Sequence, residues 1–460
     1  MPSERGRRPG RAGHAVVVGG SIGGCLVAEA LSAQFDQVTV FEAGEFRADA
    51  APRPQVPQEH HVHLLLLRGK SVIESIFPGV LDQLKQEGAI EADLGLDVKW
   101  FQYGRWKNRY PTGVRAHYCS RALIDSVLRR RVLVNPKIDV RPATSVTRLH
   151  VDSGAGPTGQ VSGVDVTSTG GAETIPADLV VDTSGRRSRA PRWLAENGYG
   201  DVPETTVETK LGYTSRVYRQ RPELADQWKV LLVLPEPPQG RAMGVISPLE
   251  DDRWLVTTGG WFGAYPRSDP GEFEAFLRTL PVPDIADVVQ DAEPLSEVVG
   301  YRMTGSRMRH YEQLATMPDG LIVLGDAVCS LNPLYSQGMT ICALEVEHVA
   351  ASMARWARGE RHAAEIQRGV AAIVGDAWAM AVTEDLRFPE AVGPRPLRLR
   401  ARHRYIRRLV RASAHSRLVL RAQVGVTNLV MDPAELYRPR IVGRVLVDAL
   451  RPGRAEGALA

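Results

Sequence analysis

The stretch Ala15-Val16-Val17-Val18-Gly19-Gly20-Ser21-Ile22-Gly23-Gly24 joins a short apolar run to a glycine-rich turn, and a helical pattern follows it. The apolar run is typical of a strand that is buried on both faces of a parallel sheet. Glycines at the turn let the backbone approach a phosphate and aim free N–H groups at it. Gly19 and Gly24 occupy the first and third positions of the G-x-G-x-x-G pattern, whereas Ser21 stands at the second. A dinucleotide phosphate site is therefore predicted at Gly19, Gly20, Ser21, Ile22 and Gly24.

The acidic residue Glu42 ends a second short strand at residues 38–41. A carboxylate in that position can accept hydrogen bonds from ribose hydroxyls. A tight structural turn would explain the glycines alone, and a surface position would explain Glu42 alone. Together they indicate one βαβ unit that binds a dinucleotide.

A second motif far along the chain favours FAD over NAD. Gly325-Asp326-Ala327 follows a strand at residues 321–324, so Asp326 is expected at the carboxyl end of the sheet, where its carboxylate can hold a ribityl hydroxyl. Asn332-Pro333-Leu334-Tyr335-Ser336-Gln337-Gly338-Met339 then leads into a long helix. The N–H groups and positive dipole end of that helix can stabilise negative charge on a reduced flavin ring. Cofactor contacts are predicted at Asp326, Pro333, Gln337, Gly338 and Met339.

With both motifs in place, the sequence resembles the flavoprotein monooxygenases of the p-hydroxybenzoate hydroxylase type, over about residues 15–350. Gly325-Asp326 matches the second FAD motif of that family, and Asp182-Thr183-Ser184-Gly185 resembles its middle Asp-Gly motif with two residues inserted. Arg121 matches an arginine that the family places near the FAD phosphates. The resemblance thus implies further cofactor contacts at Ala43, Arg53, Arg121, Val146, Asp182 and Gly185.

Within this family the sequence is most similar to the branch related to squalene epoxidase and to the polyether epoxidases of the monensin and lasalocid type. Residues 54–66, 189–199 and 325–339 carry that similarity. The resemblance implies that one oxygen atom from O₂ is inserted through a flavin C4a-hydroperoxide. The expected reaction is epoxidation of C=C bonds in a large apolar polyketide polyene or terpenoid, in secondary metabolism such as antibiotic biosynthesis. Aromatic-ring hydroxylation and prenyl-type flavin-dependent reduction remain alternatives.

The cofactor carries the difficult chemistry in such an enzyme, so no side chain is assigned a catalytic proton-transfer role. Substrate-lining positions are expected at Gln58, His63, Tyr335 and Ser336, and Ser336 stands where the wider family usually has glycine. The insertion after Asp182 departs from a standard nicotinamide-binding motif. FAD is therefore expected to be reduced by NAD(P)H directly or through a separate flavin reductase.

Composition excludes several other classes. The 460 residues are 43% hydrophobic and 24% charged, which is ordinary for a globular protein, and no apolar stretch approaches the roughly 20 residues of a membrane span. Residues 1–13 are expected to form a short disordered arm without a secretory signal, so a cytoplasmic location is predicted. The four cysteines have no metal-type spacing, and no metal is predicted.

Arginines crowd residues 395–411, although the net charge is only +4. Such a cluster could touch nucleic acid or an anionic membrane, but a solvated helix face is favoured because no aromatic residues interleave as stacking platforms. No nucleic-acid partner is predicted. A catalytically silent flavin-binding module that docks through this basic region remains an alternative class.

The expected fold is α/β. It comprises a Rossmann-like FAD-binding domain of the glutathione reductase type, an inserted mixed or antiparallel β-sheet substrate domain and a C-terminal helical region. The FAD-binding domain is assigned to residues 13–75, 118–190 and 301–362, and the substrate domain to 76–117 and 191–300. Residues 363–460 form the helical region.

Overall fold

A computed structural model describes residues 12–51, 53, 57–155 and 158–450 of the chain. Most of the arm expected at residues 1–13, three residues of the 54–66 similarity and the last ten residues of the helical region lie outside this part of the chain.

The described residues form strands and helices that alternate at first and become purely helical after residue 363. The strands are β1 (Ala12–Val18), β2 (Phe35–Phe41), β3 (Ile90–Asp93), β4 (Val98–Gln102), β5 (Arg105–Trp106), β6 (Arg115–Tyr118), β7 (Ile138–Arg141), β8 (Ser145–Asp152), β9 (Gln160–Ser168), β10 (Gly171–Pro176), β11 (Leu179–Asp182), β12 (Glu204–Arg219), β13 (Val230–Val233), β14 (Ala242–Leu249), β15 (Arg253–Gly260), β16 (Val299–Arg309), β17 (Leu321–Val323) and β18 (Cys329–Ser330). The helices are α1 (Ile22–Ser32), α2 (Leu67–Ile76), α3 (Val80–Gln86), α4 (Arg121–Leu133), α5 (Ala190–Glu196), α6 (Pro222–Ala225), α7 (Pro270–Leu277), α8 (Asp284–Gln290), α9 (Gly338–Ala357), α10 (Ala363–Asp385), α11 (Leu399–Ser413), α12 (Arg417–Thr427) and α13 (Pro439–Ala449).

A parallel sheet in the order β17-β11-β1-β2-β7 forms the centre of the first part of the chain. Its strands are short runs of Val, Ile and Leu because both faces are covered, and Val16, Val180 and Ile322 have no exposed surface. Helix α1 connects β1 to β2, and α9 packs against α1. Since all five strands run in the same direction, their carboxyl ends meet at one edge of the sheet.

Three antiparallel or mixed sheets are inserted into this arrangement, the smallest of which is the antiparallel pair β3-β6. The sheet β10-β9-β8 lies between β7 and β11 in sequence, and the larger sheet has the order β18-β16-β12-β15-β14-β13-β4-β5. The larger sheet is mixed because β13 pairs in parallel with β4 and antiparallel with β14. Strand β16 extends to Arg309, so residues 301–309 are hydrogen-bonded within this sheet.

The C-terminal helices pack onto both earlier parts of the molecule. Helix α10 contacts α9 and β17, and its apolar face, including Val370 and Val374, belongs to the core around the parallel sheet. Helices α11, α12 and α13 pack on one another. Across the described residues, no helix is both long and apolar enough to span a bilayer.

Candidate functional site

The glycine turn after β1 has the close backbone approaches that its sequence predicted. Gly19 has a φ of +100°, and a Cβ there would lie 2.9 Å from the carbonyl oxygen of Thr183. A Cβ on Gly24 would lie only 1.8 Å from the carbonyl oxygen of Gly19. Ser21 is the N-cap residue of α1, which begins at Ile22, but its hydroxyl makes no capping hydrogen bond. The N-terminus of α1 therefore faces the end of β1 with its first N–H groups uncapped by a side chain.

Glu42 is held at the end of β2 by backbone donors. Its Oε2 atom accepts a hydrogen bond from Gly20 N at 2.7 Å, and its Oε1 atom accepts one from Gly44 N at 2.9 Å. Its carbonyl oxygen accepts a hydrogen bond from Thr144 N at 2.9 Å, directly before β8 and the buried Val146. Ala43, the next residue after Glu42, is exposed. These contacts bring the glycine turn, Glu42 and the start of β8 to one edge of the sheet.

Two arginines meet at the hydroxyl of Ser21. Arg121, the first residue of α4, donates from Nη2 to Ser21 Oγ at 3.2 Å, and Arg53 donates from Nη2 to the same atom at 3.4 Å. Ser120 caps α4 by accepting a hydrogen bond from Leu123 N, which fixes the helix start that carries Arg121. The structure thus places Arg121, which was predicted near the FAD phosphates, and Arg53, which was predicted to contact the cofactor, at the glycine turn.

A buried ion cluster lies behind these arginines. Arg53 is 1% exposed and pairs with Glu59 at 2.8 Å and with Asp125 at 3.1 Å, while Arg129 approaches the same two carboxylates at 3.7 Å each. Burial raises the pKa of Glu59, and the neighbouring Asp125 raises it further. Burial opposes ionisation of Asp125, but the guanidinium of Arg121 and those of the other two arginines hold its pKa below the usual range.

The charge of this cluster tests whether the site fits a dinucleotide. Three guanidinium groups face two carboxylates, so with both carboxylates ionised a net positive charge remains beside Ser21 and the N-terminus of α1. Arg53 Nη1 is buried and has no hydrogen-bond partner among the described residues. An anionic pyrophosphate is complementary to this charge and to the uncapped helix start.

Asp326 lies where the middle motif and helix α9 converge. A Cβ on Gly185 would lie 4.0 Å from the Cβ of Asp326, and one on Gly338 would lie 4.0 Å from its Oδ1 atom. Burial raises the pKa of Asp326, although Arg186 and Arg121 oppose this. Within the described part of the chain no residue hydrogen-bonds to its carboxylate. The sequence-predicted residues Gly185, Asp326 and Gly338 are therefore neighbours, and the carboxylate is available to a ligand hydroxyl.

Asp182 occupies a different environment from Asp326. It is fully buried, and its carboxylate accepts hydrogen bonds from Ser184 N at 2.8 Å and from Ser188 Oγ at 2.5 Å. Burial raises its pKa against the effect of these donors. In this structure the Asp182 side chain shapes the loop that carries Gly185, and a direct cofactor contact by Asp182 stays a prediction.

The turn before α9 has an unusual backbone conformation. Pro333–Tyr335 form a single 3-10 turn, and Ser336 follows in the left-handed region with a φ of 54° and a ψ of 29°. Gln337 is 3% exposed and donates to the Met380 sulfur at 3.1 Å, while Met339 is buried. The Tyr335 hydroxyl donates to Asp385 Oδ1 at 2.8 Å. Of the predicted substrate-lining groups on this turn, Tyr335 and Ser336 are both half-buried.

The histidine segment, residues 57–63, lies against α4 and against strands β12 and β16 of the larger sheet. His63 Nδ1 donates to the His61 carbonyl oxygen at 2.9 Å, and burial together with the charge of Arg121 lowers the pKa of His63 to about 4. Gln58 is half-buried in the 3-10 helix Pro57–His60. His63 is therefore neutral near pH 7 and lies close to the charged end of the site.

His61 is a candidate site residue that was not predicted from the sequence. It is 1% exposed, its Nδ1 atom hydrogen-bonds to Ser215 Oγ at 2.8 Å, and its ring meets the Tyr213 ring edge-on at 4.6 Å between centroids. Burial lowers the pKa of His61 to about 3, and its Nε2 atom has no partner among the described residues. Strand β12 supplies these partners from about 150 residues downstream. No local sequence pattern predicts that His61 contacts this strand.

A cavity of about 410 Å³ opens next to this segment, between the start of α4 and the larger sheet. Its polar lining comes from His60, Ser215, Arg216, Glu250, Arg253 and Glu297, among others. The predicted substrate-lining residues Gln58, His63, Tyr335 and Ser336 do not line this cavity.

Two known proteins are similar in sequence to this chain, whereas no family model matches it. Protein Rv3254 of Mycobacterium tuberculosis is 32% identical over 393 residues, which cover 82% of this chain and 81% of that protein. A kynurenine 3-monooxygenase of Salinispora tropica is 28% identical over 345 residues, covering 70% of this chain and 69% of the relative.

Solved structures share the fold at low sequence identity. The p-nitrophenol 4-monooxygenase PnpA of Pseudomonas putida superposes with a TM-score of 0.65 at 16% identity, over 91% of this chain and 98% of PnpA. The flavin-dependent halogenase CmlS gives a TM-score of 0.65 at 17% identity, over 92% of this chain and 77% of CmlS. The predicted Rossmann-like FAD-binding fold with an inserted β-sheet and a helical C-terminus is confirmed. The chain belongs to the family of Rv3254, and its fold is the FAD-binding fold of the flavin-dependent monooxygenases.

Proposed function

We propose that the chain is an FAD-dependent monooxygenase that transfers one oxygen atom from O₂ to a large apolar substrate. The observation that carries this proposal is the convergence of the glycine turn, Arg121, Asp326 and the start of α9 at one edge of the parallel sheet. The flavin-dependent monooxygenases and halogenases that share the fold support it. When bound, the reduced flavin would supply the chemistry that activates O₂ for oxygen transfer.

In this proposal the anionic end of the cofactor lies at the glycine turn. The N–H groups at the start of α1 bind the pyrophosphate, and Arg121 neutralises its charge. Arg53 is fixed by Glu59 and Asp125, so it contributes mainly positive potential and its free Nη1 atom. Glu42 accepts from the ribose while Gly20 and Gly44 hold its carboxylate in place.

The flavin end lies between Asp326 and α9. Asp326 accepts from a ribityl hydroxyl, which satisfies a half-buried carboxylate that has no hydrogen-bond partner among the residues that the structure describes. Gly338 leaves room beside Asp326, and the first N–H groups of α9 stabilise negative charge on the reduced ring. In this proposal Ser336, which precedes the helix start, presents its hydroxyl to the approaching oxygen or substrate.

The proposed substrate is a polyketide polyene or terpenoid, and the proposed reaction is epoxidation of a C=C bond. The resemblance of residues 325–339 to the polyether epoxidase branch supports this choice. Neutral His61, which packs against β12, and neutral His63 are compatible with an uncharged substrate because neither adds charge to this part of the site. Reducing equivalents come from NAD(P)H directly or through a separate flavin reductase.

Aromatic-ring hydroxylation is the second candidate. It is favoured by two similar proteins whose names specify aromatic substrates, the kynurenine and p-nitrophenol monooxygenases. Both candidates use the same cofactor site, and the substrate alone distinguishes them.

Flavin retention tests the cofactor site directly. We expect the purified protein to show flavin absorbance bands and Asp326→Ala to raise the FAD dissociation constant by about tenfold, since one hydrogen bond to a charged group is lost. Asp165→Ala, a carboxylate on the three-stranded sheet that pairs with His150, is the matched control and should bind FAD as the wild type does. A colourless protein that takes up no added FAD would refute the proposal.

Oxygen transfer tests the reaction. Reduced protein is mixed with O₂ and either a polyene or a phenol, and the products are analysed by mass spectrometry. A polyene product one oxygen atom heavier supports epoxidation, whereas a hydroxylated phenol alone selects the second candidate. A polyene product that has lost unsaturation without gaining oxygen would contradict monooxygenation and indicate a reductase.

A further inference from the structure

Three hydrogen bonds converge on one oxygen atom of Asp385, the last residue of α10. Its Oδ1 atom accepts from Asn332 Nδ2 at 2.8 Å, from Tyr335 OH at 2.8 Å and from Trp261 Nε1 at 3.1 Å. The residue is fully buried, and its Oδ2 atom has no partner among the described residues. Among the described residues, all hydrogen bonds to this carboxylate are therefore accepted by Oδ1.

The three donors come from different parts of the molecule. Trp261 directly follows β15 of the larger sheet and packs against Phe388, whereas Asn332 and Tyr335 belong to the turn that leads into α9. Asp385 itself belongs to the C-terminal helices. One buried side chain therefore joins the inserted sheet, the proposed flavin-facing turn and the helical region.

Asn332 connects this contact to the conformation of the turn. Its side-chain oxygen accepts from Leu334 N at 3.0 Å, while its amide nitrogen donates to Asp385. Ser336 then adopts the left-handed conformation that directs the chain into Gln337 and α9. Such a conformation persists in a non-glycine residue only where its surroundings hold it.

We propose that Asp385 is a positioning residue of the monooxygenase site: by binding Asn332 and Tyr335 it holds the turn at residues 332–336 and thereby the flavin-facing start of α9. This inference rests on the proposed function. Asp385 itself does not touch the cofactor in this scheme and acts through the turn.

Titration of Asp385 supplies a signature of this role. Burial raises its pKa to about 6, and the three donors oppose the rise. The charged and titratable groups around it are Glu384, which raises the pKa further, Arg387, which pairs with Glu384, and Tyr335. Deprotonation strengthens the bonds from Asn332 and Tyr335 because they become charge-assisted, so the turn is held most firmly above the pKa.

The test compares Asp385→Ala and Asp385→Asn in the full-length protein. Hydrogen exchange is measured on the peptide spanning residues 332–337, and the absorbance spectrum of bound FAD is recorded between pH 5 and pH 8. Glu384→Gln is the matched control because it removes a neighbouring carboxylate that pairs with Arg387 and does not contact the turn.

We expect Asp385→Ala to speed exchange of this peptide by about tenfold, and Asp385→Asn, which keeps an acceptor oxygen, to restore protection to within about threefold of the wild type. The wild type should show a spectral transition near pH 6. Glu384→Gln should keep a transition but at lower pH, because it removes a charge that raises the pKa of Asp385, whereas Asp385→Asn should show no transition. A loss of packing alone would not remove that transition in the asparagine variant.

Unchanged exchange in Asp385→Ala, or a transition that persists in Asp385→Asn, would overturn the role of Asp385 while leaving flavin binding intact. Protein that takes up no FAD, with the exchange pattern as expected, would instead overturn the proposed function and with it the flavin-facing role of the turn. The two failures therefore give different results.

Discussion

Ser336 adopts a backbone conformation that residues other than glycine rarely adopt. Its φ of 54° lies in the left-handed region, where a β-branched residue clashes with its own backbone. We expect Ser336→Val to lower the free energy of unfolding by about 1–3 kcal/mol, and Ser336→Gly to change it by less than about 1 kcal/mol. Urea denaturation measures both. Ser162→Val, at an exposed position of strand β9, should be nearly neutral, and an equal loss at both serines would contradict the backbone argument.

Glu345 makes stability depend on pH. It is fully buried in α9, and burial, with a further contribution from Asp326, raises its pKa to about 8. A carboxyl group whose folded pKa exceeds its unfolded value of about 4.3 contributes stability that is fully present below the unfolded value and lost as pH rises through the folded one. Between about pH 4.5 and pH 8, the wild type should therefore lose stability relative to Glu345→Gln.

The expected relative loss is at most about 4 kcal/mol, measured by urea denaturation at pH 5 and pH 9. The glutamine keeps an oxygen that can accept from Gly325 N, as Glu345 does at 2.6 Å. Glu347→Gln on the same helix, where the carboxylate pairs with Arg68 at the surface, serves as the control. If both variants follow the wild type across this range, Glu345 titrates normally.

The roles of residues whose contacts lie nearby in sequence were predictable. The roles of residues whose contacts lie far away in sequence were not. The positive φ of Gly19 and the close approach of Gly24 to the Gly19 carbonyl oxygen both arise within the turn itself. His61 and Asp385 acquire their environments from Ser215 and Trp261, each more than 100 residues away in sequence. A pattern read along the chain carries no information about such contacts.

At the scale of elements, strong local signals gave accurate predictions and weak ones did not. The short Val-rich run at Leu179–Asp182 predicts a buried strand, and Ser120 before an apolar helical pattern predicts an N-cap. Both are found in the structure because each signal acts locally. The apolar spacing of residues 71–88 predicts one helix, but the structure has two, Leu67–Ile76 and Val80–Gln86. They are separated by residues 77–79: Phe77, before Pro78, has left the helical conformation, and Gly79 has a φ of +80°. Apolar spacing continues across that break, so periodicity alone could not reveal it.

The crossing of α1 over β1 depends on Gly24. A Cβ there would lie 1.8 Å from the Gly19 carbonyl oxygen, so the helix start must move away from the strand end. We expect Gly24→Ala to lower the free energy of unfolding by about 3 kcal/mol or more and to weaken FAD binding. Denaturation and flavin titration measure the two effects.

Gly375→Ala is the matched control for Gly24→Ala. Gly375 lies inside helix α10, and a Cβ there would have no neighbour within 4 Å. The substitution should raise stability by about 0.5–1 kcal/mol because alanine is the better helix former. A loss of stability at Gly375 as large as that at Gly24 would contradict the explanation by close approach, because no neighbouring atom crowds a Cβ at Gly375.

For the whole molecule, the parallel sheet and the inserted sheet were predictable because each strand carries its own signal, and the C-terminal helices were predictable as a class. How these helices pack onto the rest of the molecule was not predictable. The arginine-rich α11 was expected to present a solvated face, and Arg400, Arg402 and Arg404 are indeed exposed. Its opposite side is buried through Leu409 and Val410, so the region is part of the packed structure.

A buried lysine joins these helices to the inserted sheet. Lys107 is 7% exposed and donates to Ser413 Oγ at 2.9 Å and to Gln423 Oε1 at 2.8 Å, while its ammonium lies 3.7 Å from the centre of the Trp100 ring. Burial lowers its pKa well below the usual range. The three contacts replace part of the lost hydration, which makes Lys107 a specific link between α11, α12 and the sheet.

Removing this link should loosen the C-terminal helices without unfolding the parallel sheet. We expect Lys107→Ala to lower the free energy of unfolding by about 2–4 kcal/mol, because it leaves a cavity and two buried polar groups without partners. Trypsin should then cleave the arginine-rich α11 faster. Lys99→Ala is the control, since Lys99 also lies over a tryptophan but its side chain is 37% exposed and pairs with Asp284. It should cost less than about 1 kcal/mol, and equal cleavage of both variants would mean that the helices are held mainly by their apolar faces.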